Sequence, residues 1–293
     1  MTLEQLRIFL AVAEGQHVTR AARRLGLTQS AVSAAIAALE ARHAVQLFDR
    51  VGRRIVLTEA GNAFIREAQA VLAQAETAEL MLEDFSSTPR GRLRIHASQT
   101  VASYWLPSRL VVLHDRYPNI AVEMSIGNTA QVADAVQEGR ADLGLIEGEV
   151  TQLSLRRQVV DRDALCLIMA PDHPRAAQAD LDPAEYTAAD WILREQGSGT
   201  RSEFETVLEA NGLGIQNLSV ALELPSNEAV IAAVASGRYF SVLSQRAVVA
   251  SEAAGWIVTR PVPHPSRPFA VLTHPDRHRT HAMRVMLDIL VPE

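Results

Sequence analysis

Four short runs bring hydroxyls, amides and glycines to points where the chain reads as the end of a strand and the start of a helix. "ASQT" (97–100) carries Ser98, Gln99 and Thr100, and "GNT" (127–129) carries Asn128 and Thr129. "EQGSGTR" (195–201) carries Gly197, Ser198, Gly199, Thr200 and Arg201, and "PSN" (225–227) carries Asn227. Each run alone is a capping signal. Their recurrence points to a shared site, because free N–H groups at helix starts and neighbouring hydroxyls suit a small anion, with Arg201 as counter-charge. Enzyme chemistry is poorly served. "GSGTR" completes neither a P-loop nor a G-x-S-x-G elbow. The chain has no lysine, all 28 of its positive charges being arginine, which excludes a lysine Schiff base and a Walker-type phosphate lysine. His274, His278 and His281 in "HPDRHRTH" have helix-like spacing, but no Cys or acidic constellation completes a metal shell. They read as a solvated helix start, and no metal or cofactor is expected. Cys166, in the apolar run "ALCLIMA", reads as a buried inert thiol.

The second group with chemistry is made of arginines. Arg20, Arg23 and Arg24 precede the alanine-rich stretch "TQSAVSAAIAALEARH" (28–43), and Arg50, Arg53 and Arg54 follow it. Residues 1–60 hold eight Arg and five acids, whereas 61–293 hold twenty Arg and 29 acids. Only the head of the chain therefore suits a polyanion.

The elements that must position these groups follow from spacing. Leu3, Leu6, Phe9, Leu10 and Ala13 mark a first helix that stops at Gly15. Val18, Ala21, Ala22 and Leu25 mark a second that ends at Gly26. Thr28 caps a third, whose inward stripe is Val32, Ala35, Ile36 and Leu39. Two short helices joined by a Gly-Leu turn form a helix-turn-helix signature. Ser30, Ser33, Ala34 and Ala37 point away from the stripe, and short side chains there let the third helix approach base edges in a major groove. Gln29 can pair with adenine and the serines can reach bases or phosphates, while the flanking arginines meet the backbone. "LFDRVGRRIVLT" reads as a β-hairpin wing.

Residues 58–87 read as one long helix, with a stripe of Phe64, Ala68, Val71, Ala75, Ala78, Leu82 and Phe85 that implies a helix pair with a partner chain. "SSTPRG" (86–91) breaks it as a hinge. Beyond residue 92, strand-like runs at 92–98, 120–127, 141–147, 164–170, 190–195, 218–224 and 239–244 alternate with helical stretches around 103–116, 128–138, 200–211 and 226–236. That is an α/β region with largely parallel sheets, sized for two lobes with a cleft. No apolar run approaches a membrane span and no basic-then-apolar leader opens the chain, so a cytoplasmic protein without membrane contact is expected.

The stretch "FLAVAEGQHVTRAARRLGLTQSAVSAAIAALEARHAVQLFDRVGRRIVLTEAG" resembles the DNA-binding head of LysR-type transcriptional regulators, and the resemblance extends over the domain order of the whole chain. It implies an α/β protein with an N-terminal all-α winged helix-turn-helix at 1–57 and a dimerising linker helix at 58–87. A hinge at 88–91 and a two-lobed, periplasmic-binding-protein-like effector domain at 92–293 complete the chain, with lobe I at about 92–162 and 267–293 and lobe II at about 163–266. By motif, Thr28, Gln29, Ser30 and Ser33 are groove readers and Arg50, Arg53 and Arg54 serve the wing. Family effector positions match Ser98, Gln99, Thr100, Asn128, Thr129 and Gly197–Thr200. The resemblance implies binding to double-stranded promoter DNA as a homodimer or homotetramer, contact with RNA polymerase, and a small effector. The "REQGSGTR" form is similar to that of the regulators of sulfur assimilation and carbon fixation, which points to an oxyanion, a carboxylate or a phosphorylated metabolite. An α/β enzyme or a transport solute-binding protein would use the same cleft. The missing nucleophile, metal and lysine chemistry argues against the first; the DNA-binding head and the lack of a leader argue against the second.

Overall fold

A computed structural model describes the chain apart from residues 52–53, 84–89, 151–153, 179–180 and 292–293, and apart from the side chains at 51, 54, 76–77, 79–83 and 264–265. It divides into two compact units, one built mainly from 1–86, the other from 87–137 and 141–293.

In the first unit, α1 (Leu3–Gly15) opens with a capping box in which the Thr2 and Gln5 side chains each accept the other's backbone N–H. α2 (Val18–Leu25) ends at Gly26, whose φ of 67° carries the chain through the tight turn. α3 (Gln29–His43) starts where the Thr28 hydroxyl accepts the Ala31 N–H at 3.2 Å. Phe9 is the pivot of the core. Its ring meets Phe48 and Phe64 at centroid distances of 5.5 and 5.1 Å, and α3 adds buried Val32, Ile36 and Leu39. β1 (Phe48–Val51) and β2 (Arg54–Leu57) pair antiparallel as the wing. Glu40 of α3 sets its position, one carboxylate oxygen accepting the Leu47 and Phe48 N–H groups at 2.8 and 3.1 Å. α4 (Glu59–Glu83) follows, with Thr58 accepting the Gly61 N–H at 2.9 Å. Gly61 has to lack a side chain, because a Cβ there would fall 2.1 Å from the Leu47 carbonyl oxygen.

The stripe expected to join α4 to a partner chain divides. Ala68 is buried and Phe64 half-buried in the unit's own core, together with Ile65 and Leu72. The first turns of α4 thus complete the head, because Phe9 needs an apolar cover that α2 and α3 leave open. Val71 and Ala78 are exposed and Ala75 half-buried; the Leu82 side chain and Phe85 lie outside the described residues.

In the second unit, β3 (Gly91–Ser98) pairs parallel with β4 (Ile120–Gly127) and β5 (Leu143–Glu147). α5 (Gln99–Tyr104), α6 (Pro107–Arg116) and α7 (Thr129–Glu138) connect them. The single helix expected over 103–116 is two, because Pro107 has no N–H to continue α5 and instead opens α6. Further along, β7 (Asp190–Arg194), α8 (Gly199–Ala210), β8 (Ser219–Leu224), α9 (Asn227–Ala235), β9 (Ser241–Ser244) and α10 (Gln245–Ala253) build a second half, and α11 (His281–Leu290) returns to the first.

The sheets are less parallel than expected. Two long strands, β6 (Arg156–Met169) and β10 (Val258–Thr273), run antiparallel to each other through both halves, giving the order β4-β3-β5-β10-β6-β9. β10 pairs with β5 at Phe269–Leu272, and β6 pairs with β9 at Leu165–Ile168. β7 and β8 pair parallel, and Trp191 of β7 bridges to Phe240 beside β9. One core gathers Leu93, Trp105, Phe269 and Met286; another gathers Trp191, Phe204, Tyr186 and Phe240. Smaller clusters around Val132 and Leu272 and around Ile192 and Leu243 complete them, and two strands join the halves of this unit.

Candidate functional site

Two surfaces carry the expected chemistry. On the head, Gln29 and Ser30 at the start of α3 are exposed, as are Ala34 and Ala37, and Ser33 is half-buried. The Gln29 side-chain carbonyl accepts the Thr19 hydroxyl at 3.2 Å, which ties the N-terminal end of α3 to α2. Thr28 and Ser30 hydroxyls lie 3.0 Å apart. The α2 arginines separate. Arg24 forms an ion pair with Glu14 of α1, and Arg20, one turn earlier, lines a groove with the same α1 end. Arg23 lies one turn beyond Thr19, on the side that meets Gln29. Arg50 is exposed on β1, opposite Ile55. Arg53 and the Arg54 side chain lie outside the described residues.

In the effector unit, the junction residues converge where the ends of β3, β4 and β5 face the starts of α8 and α9. The Asn227 N–H donates to Gln99 Oε1 at 2.7 Å, and Asn227 Nδ2 donates to the Thr100 hydroxyl at 3.2 Å. Asn128 Nδ2 donates to the Gln196 carbonyl at 3.3 Å, and the Ala130 N–H reaches the Gly197 carbonyl at 3.3 Å. Ser98 donates to the Glu147 carboxylate, and the Thr129 hydroxyl donates to the Glu147 carbonyl at 3.0 Å. Gly199 fits only without a side chain, since a Cβ would fall 2.2 Å from that carbonyl oxygen. The Ser198 side chain makes no cap bond at the start of α8, and its hydroxyl, 2% exposed as a residue, has no hydrogen-bond partner among the described residues.

Arg201 does not take the role the sequence suggested. Its guanidinium donates to Glu205 of its own helix at 2.9 Å and to the Arg194 carbonyl at 3.2 Å and pairs with Glu223 of β8 at 2.7 Å, and none of these partners is a junction hydroxyl or amide. The cation that meets a junction hydroxyl is Arg267, which is 0% exposed. Its Nε and Nη2 donate to Asp163 Oδ2 at 2.9 and 2.8 Å, and its Nη1 donates to the Thr200 hydroxyl at 2.9 Å and lies 3.9 Å from Glu147. Ser244 donates to the other Asp163 oxygen at 2.9 Å. Buried Arg194 donates to Asn227 Oδ1 at 2.7 Å and pairs with Glu195. Near the rim, Glu228 accepts from Gln99 Nε2 at 2.5 Å and from the Tyr104 hydroxyl at 2.8 Å. Burial pushes the Glu228 carboxyl up, but hydrogen bonds from its own N–H, Tyr104, Gln99 and Ser226 outweigh it and hold it below the usual range.

Glu147, Asp163, Arg194, Arg267, Tyr104 and Glu228 escaped the sequence reading. Glu147 left a trace, as the one acid closing the wholly buried strand "LGLIE". Arg267, in "HPSRPFAV", left none. His274 and His278 precede α11, which Thr280 caps, and no metal cluster occurs among the described residues. Burial, with Glu252 and Asp163 adding, pushes the Cys166 thiol up to about 12, as expected for an inert group.

Residues 3–62 match the bacterial regulatory helix-turn-helix protein, lysR family, and residues 86–293 match the LysR substrate binding domain. The chain belongs to the LysR family of DNA-binding transcriptional regulators, ligand-responsive proteins rather than enzymes. Over its full length it is 37% identical to the HTH-type transcriptional regulator YeiE of Escherichia coli, covering 98% of that protein. It is 32% identical both to the RuBisCO operon transcriptional regulator of Allochromatium vinosum, over 83% of this chain and 80% of that one, and to the transcriptional regulator CysL of Bacillus subtilis, over 84% and 81%. Among solved structures, a point variant of full-length OxyR from Pseudomonas aeruginosa superposes with a TM-score of 0.74 at 26% identity, over 99% of this chain and 94% of that one. The regulatory domain of Synechocystis CcmR in complex with 2-PG superposes with a TM-score of 0.63 at 28% identity, over 69% of this chain and 96% of that one. Among the described residues no helix is long and apolar enough to cross a membrane.

Proposed function

We propose that this regulator responds to a small anion bound at the junction of the two halves of its effector unit, and that binding changes how its heads engage a promoter. The observation that carries the reading is the start of α8, where an uncapped helix end and the buried, unpartnered Ser198 hydroxyl stand beside the Thr200 hydroxyl and Arg267. Free N–H groups at a helix start favour negative charge, and the guanidinium, its fork held by Asp163, adds a nearby positive charge and its remaining N–H groups. The complex of the CcmR domain with 2-PG supports an anionic effector on the same fold. Ser98, Gln99, Thr100, Asn128, Thr129, Gly197–Thr200 and Asn227 line this site, and Arg267 replaces Arg201 as its cation. Their mutual hydrogen bonds are those an effector would exchange, so the ligand shifts the equilibrium only if it prefers one lobe arrangement.

The domain boundaries of this reading are those the sequence implies: head at 1–57, linker at 58–87, a hinge at 88–91 that lies partly outside the described residues, and effector domain at 92–293, its lobes divided near 162–163 and 266–267. Thr28, Gln29, Ser30 and Ser33 read the groove, while Arg20, Arg23, Arg24, Arg50, Arg53 and Arg54 meet phosphates. The protein works in the cytoplasm as a homodimer or homotetramer and contacts RNA polymerase. Support for assembly comes from the exposed apolar residues of two edge strands, Val122, Met124 and Ile126 on β4 and Val220 and Leu222 on β8. The test is calorimetric titration of the full chain with inorganic phosphate, sulfate and benzyl alcohol. Anion binding that weakens in Thr100→Val, with promoter binding intact, is the expected outcome. Tight binding of the alcohol with no anion bound overturns the reading.

A further inference from the structure

We propose that the junction selects an oxyanion that still carries a proton, held by a hydrogen bond from that proton to the Glu147 carboxylate, and discriminates against fully deprotonated oxyanions of the same shape. The inference rests on the junction being an anion site.

The charges facing the site do not balance in favour of an anion. Glu147 is 1% exposed, and its side chain lies against the first residue of α8, since a Cβ on Gly199 would fall 2.7 Å from Glu147 Cγ. The start of α8, with the unpartnered Ser198 hydroxyl, attracts negative charge; the carboxylate beside it repels negative charge. From β3, Ser98 donates to Glu147, and from α7 the Thr129 hydroxyl reaches the Glu147 carbonyl. From β10, Arg267 stands 3.9 Å away, but Asp163 of β6 takes two of its N–H groups and Thr200 a third. One buried guanidinium thus serves two buried carboxylates, with the part-exposed Arg246 adding to Asp163 alone at 3.7 Å. Glu203, on α8, adds a further acid. Burial holds its carboxyl above the usual range against the pull of Arg267, and Glu149 pushes it the same way.

An ionised carboxylate only accepts hydrogen bonds. A fully deprotonated oxyanion brings only acceptors, so its lone pairs would oppose those of Glu147 in a site shielded from water. A protonated oxyanion turns that opposition into an O–H···O⁻ bond, among the strongest available to a protein. Its remaining oxygens still accept from Ser198, the α8 N–H groups and Arg267. Discrimination therefore rests on Glu147, beside the first residue of α8.

The test compares inorganic phosphate, which retains a proton near neutral pH, with sulfate, which has none and the same tetrahedral shape, by calorimetric titration of the full chain. The wild type should bind phosphate more tightly by roughly tenfold or more, the size of a hydrogen bond to a charged group. Glu147→Gln, whose amide can donate, should tighten sulfate and erase the preference. Ser198→Ala should weaken both anions alike. Equal wild-type affinities overturn the proposal while leaving the anion site standing, and this comparison needs no variant to fold. A phosphate preference that survives Glu147→Gln in a folded variant also overturns it. Binding of neither anion sinks this proposal and the anion site together.

Discussion

Replacing Arg267 by methionine tests whether the two halves of the effector unit are held by a buried charge network. The side chain is wholly buried, and removing its charge strips Asp163 of two hydrogen bonds, at 2.9 and 2.8 Å, and Thr200 of one. Asp163 keeps the Ser244 hydroxyl at 2.9 Å and the part-exposed Arg246 guanidinium at 3.7 Å, and Glu147 loses its nearest buried cation. Methionine roughly preserves the apolar stem, so packing changes little and the cost is that of uncompensated buried charge, about 3–5 kcal/mol. Against a total stability of about 5–15 kcal/mol for a domain, that is a large fraction. Urea unfolding followed by tryptophan fluorescence reads this unit alone, because Trp105, Trp191 and Trp256 all belong to it. The midpoint should fall by about 1–2 M for the slopes usual in urea. Adding Asp163→Asn should recover about 2 kcal/mol, since the unpaired charge goes with it. A single variant within about 0.5 kcal/mol of wild type, the range of an ordinary surface change, would refute the reasoning.

On the head, Gln29→Ala should alter base preference at one position per half-site. Arg50→Ala should weaken all sequences alike and reduce the salt slope by about one. Binding selections and salt titrations that show neither change would remove this face from the groove. Val71→Glu places a charge on the exposed part of the α4 stripe and should give monomers by light scattering; an unchanged mass means the stripe carries no contact. Glu228 is held below the usual carboxylate range by its hydrogen bonds. Its contribution is therefore complete at neutral pH and fades as pH falls through its folded value. Glu228→Gln should flatten the acid limb of the fluorescence-monitored stability profile, and an unaltered limb would show that the rim contacts to Gln99 and Tyr104 add nothing.

What the sequence determined lies within the reach of local rules. The spacing of Leu6, Phe9 and Ala13, the turn at Gly26 and the cap at Thr28 define the head, because a helix writes its buried face into residues three and four apart. The buried strands and the capping runs at 98–100, 128–129, 198–200 and 226–227 were legible for the same reason. Charged segments were not. "RRQVVDRD" forms half of β6 although neither face is continuously apolar, because its partner β10 supplies the pairing. Tertiary structure alone decided which arginine meets the junction hydroxyls. Arg201 and Arg267 look alike in sequence, but Glu223 lies within reach of the first and Asp163 of the second. The pairing partners lie 22 and 104 residues away, as 223 − 201 and 267 − 163. A charge carries no periodicity, so only folding reveals which opposite charge shares its water-free surroundings.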